Sequence, residues 1–293
     1  DGAPCEGALA VDGVAQGTTP TKVQLPEGRH EVTVRCGAAE GRETVQVGHN
    51  EKARVEVRMP ARARPRPSED QPAAFSGSAP AGYVAIPAGE FMMGSPEDEN
   101  GRDSDEGPQH RVVISQGFWL GETPVTQQQW QAVVQAAKVS ELPDSPSSFK
   151  GKPQHPVESV NSHQSVQFSQ QVQAVLQSAQ QFRLPTEAER EYACRAGTSG
   201  AFHDGSACTK PLGRDPALER LGWFDKNSNR STQPVRQKKP NGWGLFDMHG
   251  NVWEWCRDGK RQYSAESQVD PVDSEASGAS RVLRGGGWFD FAW

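Results

Sequence analysis

Arg284-Gly-Gly-Gly-Trp-Phe-Asp-Phe-Ala-Trp293 is the most informative stretch of the chain. It reads as a glycine turn, because glycine alone enters left-handed backbone conformations without cost. Large aromatic side chains follow at once, interrupted by Asp290. Upstream, Arg183-Leu-Pro-Thr-Glu-Ala-Glu-Arg190 has the spacing of a capping box. Thr186 can accept from the backbone N–H of Glu189 while the Glu189 carboxylate reaches back to the cap. Gly197 then ends that short helix. Between these two runs, Asn241-Gly-Trp-Gly-Leu-Phe-Asp-Met-His-Gly-Asn-Val-Trp-Glu-Trp255 opens on a turn and supplies Leu245, Met248, Val252, Trp253 and Trp255 as core bulk.

Composition narrows the class. The 293 residues include 30 glycines and 22 prolines, with 23% charged, which suits a loop-rich soluble protein better than a helical bundle. No apolar run approaches the roughly 18 residues that a membrane span needs. The net charge of −6 argues against nucleic acid as a partner. Arg58 to Arg66 is basic but alternates with proline and alanine, so it reads as solvated linker. The sequence begins at Asp1 without a signal peptide, as expected of a mature or trimmed product. Five cysteines show no CxxC and no metal-ligand spacing. Cys5 and Cys36 are placed to bridge two strands, which would imply an oxidising compartment. Cys194 and Cys256 fall in apolar motifs, where buried thiols are common.

Three segments are expected. Residues 1–59 alternate with period two at His30–Arg35 and Lys52–Arg58, as short strands do, with a further strand at Val23–Leu25. Residues 60–82 are rich in Pro, Ala, Ser and Arg and read as a flexible linker. Residues 83–293 are long enough for an independent core. Tyr83 to Ser95 reads as opening strands and a hairpin, and His110–Ile114 and Phe118–Glu122 as strands. Thr126 is placed to cap a helix with Trp130, Val133, Val134 and Ala137 on one face. A second helix is expected over 162–178, with Val166, Val172, Val175 and Leu176 inward.

The runs at 183–190, 241–255 and 281–293 together resemble the formylglycine-generating-enzyme (sulfatase-modifying factor) family. That resemblance implies an α+β, C-type-lectin-like fold. Val11-Asp-Gly13, Gly17-Thr-Thr-Pro20 and Leu25-Pro-Glu-Gly-Arg-His30 resemble a PEGA domain, a small all-β module of envelope-associated or signalling proteins. The PEGA resemblance points to the cell envelope or exterior.

Enzymes of the family carry a catalytic cysteine two residues past the aromatic of the glycine turn, and here that position is Asp290. Soft sulfur is what selects Cu(I), so a carboxylate cannot take that role and no copper is expected. The resemblance also implies a calcium ion at the Gly-Asn-aliphatic-Trp-Glu segment. By position, Asn251 and Glu254 would give side-chain oxygens and Gly250 or Val252 backbone oxygens, hard ligands that suit Ca²⁺. The alternative is that Asn251 and Glu254 only satisfy buried backbone groups. Relatives with this turn include target proteins of diversity-generating retroelements, in which an Asn-rich template is rewritten at adenines to vary a binding face. Phe289, Asp290 and Phe291 occupy that Asn run, and Gly287 stands where Ser is usual, each reachable by adenine changes. Trp288 and Trp293 would be fixed scaffold. The family domain normally runs on past this turn to a closing Gly-Phe-Arg strand, whereas this sequence stops at Trp293.

Three functions follow from the sequence. The first is a non-catalytic module displaying a variable surface to a protein or cell-surface ligand. The second is a formylglycine-generating-type oxidase acting on a protein cysteine. The third is a fixed structural or sensor domain of a larger envelope or kinase-linked protein. No GxSxG elbow supports a serine hydrolase. The seven histidines show no i+3 or i+4 pairing for a metal.

Overall fold

A computed structural model describes residues 8–12, 14–18, 28–36, 39–47, 79–138, 140–273 and 281–291. The expected strands at 23–25 and 52–58, most of the 60–82 linker, Cys5 and Trp293 lie outside the described residues, as does the Cys36 side chain. The chain divides into two compact units, Asp1–Gln71 and Pro72–Trp293.

In the first unit, β1 (Ala8–Val11), β2 (Val14–Thr18), β3 (Gly28–Cys36) and β4 (Ala39–Val47) form an antiparallel sheet in the order β2-β1-β3-β4. The alternation read at 30–35 is its physical basis: Val32 and Val34 are buried with Val11, while Glu31 points out. Asp12 turns the β1–β2 hairpin at φ 50° and accepts from His30 Nδ1 (2.6 Å) and Glu31 N–H (2.8 Å).

The second unit begins with β5 (Tyr83–Ile86) and β6 (Gly89–Met93), followed by β7 (His110–Ile114) and β8 (Phe118–Gly121). The expected opening hairpin does not form. β5 pairs with β8 and β6 with β7, because Pro87 interrupts the ladder and sends the two strands into different sheets. α1 (Gln127–Ala137) and α2 (Ser162–Val175) pack through stacked Trp130 and Phe168 rings 4.6 Å apart. Thr126 caps α1 and Asn161 caps α2, each in a reciprocal box with a glutamine three residues on.

α2 is shorter than its periodicity predicts. Gln177 adopts φ 48°, so the helix stops at Val175, and Leu176 is 56% exposed rather than inward. Phe168 takes the core position instead.

α3 (Glu187–Arg195) starts at the Thr186–Glu189 box, with cap bonds of 3.1 and 2.8 Å, and ends at Ala196 and Gly197 in left-handed backbone. Its Ala188, Tyr192 and Ala193 bury against Ile86, Met93, Val112 and Ile114, with Leu245 and Met248 completing the cluster. The remaining elements are α4 (Leu218–Leu221), β9 (Gly222–Trp223), β10 (His249–Gly250), β11 (Glu254–Gly259), β12 (Gln268–Val269) and β13 (Arg281–Arg284). β13 pairs antiparallel with β11, and β10 parallel with β9, so the motif at 241–255 is strapped on both sides. Trp253, expected in the core, is 41% exposed. Among the described residues no helix is long and apolar enough to cross a membrane.

Candidate functional site

The turn that follows β13 is built from backbone. Gly285 and Gly286 take φ 100° and 76°, which only glycine enters freely. Gly285 C=O accepts from Gly250 N–H (2.6 Å), and Trp288 N–H donates to Asn251 C=O (2.9 Å). Gly287 N–H donates to Asp290 Oδ2 (2.6 Å), while Asp290 C=O accepts from Asp225 N–H (2.9 Å). Main-chain bonds therefore hold the turn to the 249–251 strap and to Asp225, and the Asp290 side chain closes it internally.

The positions singled out in the sequence separate by exposure. Phe289 and Phe291 are 55% and 37% exposed, and the Asp290 carboxylate between them is half-buried on the Gly287 amide. Trp288 is half-buried, edge-on to Phe149 (5.5 Å) and Phe289 (5.3 Å). Lys226 Nζ lies 5.0 Å from the Phe291 ring centroid. Gly287, by contrast, is buried, and a Cβ there would come within 3.2 Å of Asp290, Phe289 and Trp253. Its structural part is the turn itself.

The root of the turn is ionic. Arg284 donates to Glu187 Oε1 and to the Tyr263 hydroxyl. Tyr263 O–H in turn lies 3.0 Å from Glu187 Oε1, and Asp258, fully buried, accepts from Glu187 N–H and Arg261 at 2.8 Å each. Burial works against the Arg284 charge, but Tyr263 and Glu187 outweigh it and raise its pKa.

Of the oxygens placed by resemblance at a calcium ion, the structure gives Asn251 Oδ1, Gly250 C=O and Glu254 Oε1 a protein partner. Asn251 is fully buried at φ 66°; its Oδ1 accepts from Gln233 N–H (2.9 Å), and its amide donates to Gln233 C=O (3.1 Å) and Asp247 Oδ1 (3.3 Å). Gly250 C=O accepts from Val252 N–H (2.9 Å), and Glu254 Oε1 from Arg190 Nη2 (2.7 Å). Among the described residues no three His, Cys, Asp or Glu side chains gather as a metal site. Sequence reading missed Arg190 and Asp247 as members of this cluster; two carboxylates seven residues apart in an otherwise apolar motif were the available signal.

A cleft of about 360 Å³ opens beside the turn, lined by Asp290, Phe291, Trp253, His249 and Cys194 among others. A larger one of about 890 Å³ runs between the α1–α2 pair and β5–β8, away from the turn's tip. In the smaller cleft Cys194 Sγ is 3.7 Å from His249 Nε2, which also accepts from His203 N–H (3.1 Å). Burial, ahead of the opposing Arg190 and Arg195 charges, raises the Cys194 pKa and keeps it a thiol.

Burial, with Arg190 nearby, depresses His249 to about 3; burial, with His249 stacked 4.9 Å away, depresses His203 to about 4. Both rings stay neutral in the fold while the unfolded chain protonates near its ordinary 6.5. The unfolded state then binds more protons, so stability falls as pH drops from 6.5, by about 1.4 kcal/mol per unit per ring. Asp247 opposes this. Burial, then Glu254, raises its pKa to about 6, so the fold takes up its proton first and is favoured as pH falls from about 6 towards 3.8. Two rings against one carboxylate leave a net loss. Urea midpoints should be lower at pH 5 than at pH 7, and a flat profile would contradict the neutral, buried imidazoles.

Comparison with known proteins accords with this arrangement. Residues 4–62 match the PEGA domain. A formylglycine-generating enzyme of Streptomyces coelicolor is 31% identical over 255 residues, covering 71% of this chain and 78% of the enzyme. Serine/threonine-protein kinase pkn1 of Chlamydia pneumoniae is 31% identical over 70% of this chain, which spans only 32% of that kinase. Among solved structures, Treponema denticola variable protein 1 superposes with a TM-score of 0.56 at 29% identity, covering 70% of this chain and 83% of that one. PvdO from Pseudomonas aeruginosa gives 0.60 at 27% identity, covering 71% and 82%. Residues 69–292 match the sulfatase-modifying factor enzyme 1-like domain, and the chain belongs to that family.

Proposed function

We propose that the C-terminal domain is a non-catalytic ligand-binding module, displaying a diversified surface at the turn that follows Arg284. The observation that carries this reading is the pair of exposed rings, Phe289 and Phe291, flanking a carboxylate where the family's enzymes place their thiol. Aromatic anchors with a polar neighbour are typical of binding hot spots, and a backbone-braced turn loses little entropy on binding. The likeness to variable protein 1 supports the same reading. The oxidase reading has the formylglycine-generating relatives in its favour. Against it, Asp290 is no soft ligand, and the thiol in the adjoining cleft is held protonated. The partner is a protein or cell-surface ligand, met at the 289–291 tip.

Deep sequencing of the gene's 3′ end across a population of the source organism tests this. Substitutions confined to codons 287 and 289–291, and to Asn-like codons beyond 293, are the expected result. The buried position of Gly287 further predicts that its replacements are small. An invariant 3′ end would defeat diversification and favour a fixed sensor domain.

A further inference from the structure

Arg190 projects from α3 into the loop between β10 and β11 and is only 2% exposed. Its Nη2 donates to Met248 C=O (3.0 Å) and Glu254 Oε1 (2.7 Å), and its Nε has no hydrogen-bond partner. Asp247, 1% exposed, is engaged elsewhere, its Oδ2 accepting from Arg236 N–H (2.8 Å) and its Oδ1 from the Asn251 amide (3.3 Å). The Glu254 carboxylate and the Met248 carbonyl thus converge on a guanidinium that water does not reach freely. Oxygens so gathered are costly unless a cation answers them. Calcium is one answer, but it needs six to eight available oxygens. Here Asn251 Oδ1, Gly250 C=O and Glu254 Oε1 are each engaged by a protein N–H. The donor set does not fit a calcium ion.

Gly285 closes over the same spot. A Cβ on it would lie 3.1 Å from Arg190 Nη2, 3.6 Å from Glu254 Oε1 and 3.7 Å from Met248 O. We propose that the Arg190 guanidinium is the resident cation of this loop, standing in place of a divalent metal ion and bracing the glycine turn. The domain then folds without calcium, its cation being carried in the sequence. The claim concerns the loop's stability and is independent of what the 289–291 tip binds.

Thermal unfolding of the full chain in EGTA and in millimolar calcium chloride tests it. The parent protein should melt at the same temperature in both. Arg190→Gln in EGTA should melt about 10 °C lower, as expected for a broken buried pair in a domain of this size. Calcium should not restore that loss, because removing the guanidinium releases only Glu254 Oε1 and the Met248 carbonyl, too few oxygens for the ion. A parent melting point that rises with calcium would overturn the proposal. So would Arg190→Gln melting with the parent. Should that variant not fold, the parent's response to calcium still decides, and Glu254→Gln provides a second arm: it should be destabilised and gain nothing from calcium.

Discussion

Replacing Glu187 with alanine is expected to cost the C-terminal domain about 3–5 kcal/mol, the range for removing one member of a buried ionic cluster. The Glu187 side chain is 5% exposed and faces Arg284, Arg261 at 3.8 Å and the Tyr263 hydroxyl at 3.0 Å. Arg261 and Arg284 are themselves only 15% and 29% exposed, so neither can turn fully to water once the carboxylate is gone. Glu187 also sits in the first turn of α3, where a negative charge favours the helix dipole. Urea titration of the parent and Glu187→Ala should show a midpoint shift at unchanged slope. Glu187→Gln, which keeps shape and one acceptor, should recover a minor part. Hydrogen exchange at Gly285 to Trp288 should quicken, because Arg284 roots that turn. A shift under 1 kcal/mol would mean the cluster is solvated and contributes as a surface pair does.

The parts of this fold legible in the sequence are those fixed by neighbours a few residues away. The Thr186 capping box, the Thr126 cap and the Gly197 stop depend on spacing within one helical turn, and all three form. Trp130 and Val134 follow from helical period. Leu176 fits that period as well as Phe168 does, and only the left-handed Gln177 decides between them. Pro87 in the presumed hairpin was visible, but its consequence, that β5 and β6 join different partners, depends on β7 and β8.

The same division runs through the site. Exposure of Phe289 and Phe291 suits their unpatterned, polar-flanked position. Burial of Gly287 and exposure of Trp253 are set by tertiary packing against each other, for a Gly287 Cβ would meet the Trp253 ring. Arg190 shows the limit most plainly. A charged residue on a short helix reads as surface, and here it is held inside by an oxygen cluster from a segment 58 and 64 residues away. The proposed function suits this architecture: the root of the turn is ionic and largely buried, while its tip is aromatic and open. A surface can vary without loss of fold only where that separation exists.

Asn251→Ala is expected to be as damaging as the loss of Glu187, for reasons that can be told apart. The side chain is fully buried and makes a two-way bond with the Gln233 main chain, plus one to Asp247. Its main chain completes the site, with N–H to Trp223 C=O (2.7 Å) and C=O from Trp288 N–H (2.9 Å). Truncation leaves a half-buried N–H and C=O of Gln233 unanswered, each at about 1–3 kcal/mol. Alanine at φ 66° adds roughly 1–2 kcal/mol of left-handed strain. The total loss is about 3–8 kcal/mol. Asn251→Gly separates the terms, since glycine removes the strain and should return only about 1 kcal/mol of it. Asn251→Asp keeps the acceptor for Gln233 N–H, loses the donor, and sets a second carboxylate against Asp247. It should therefore be worse at pH 7 than at pH 5, where protonation of Asp247 relieves the repulsion. Chemical denaturation of the three variants at both pH values checks the ranking. Equal losses in all three would show that the hydrogen bonds to Gln233 carry the whole effect and that neither strain nor charge at Asn251 matters.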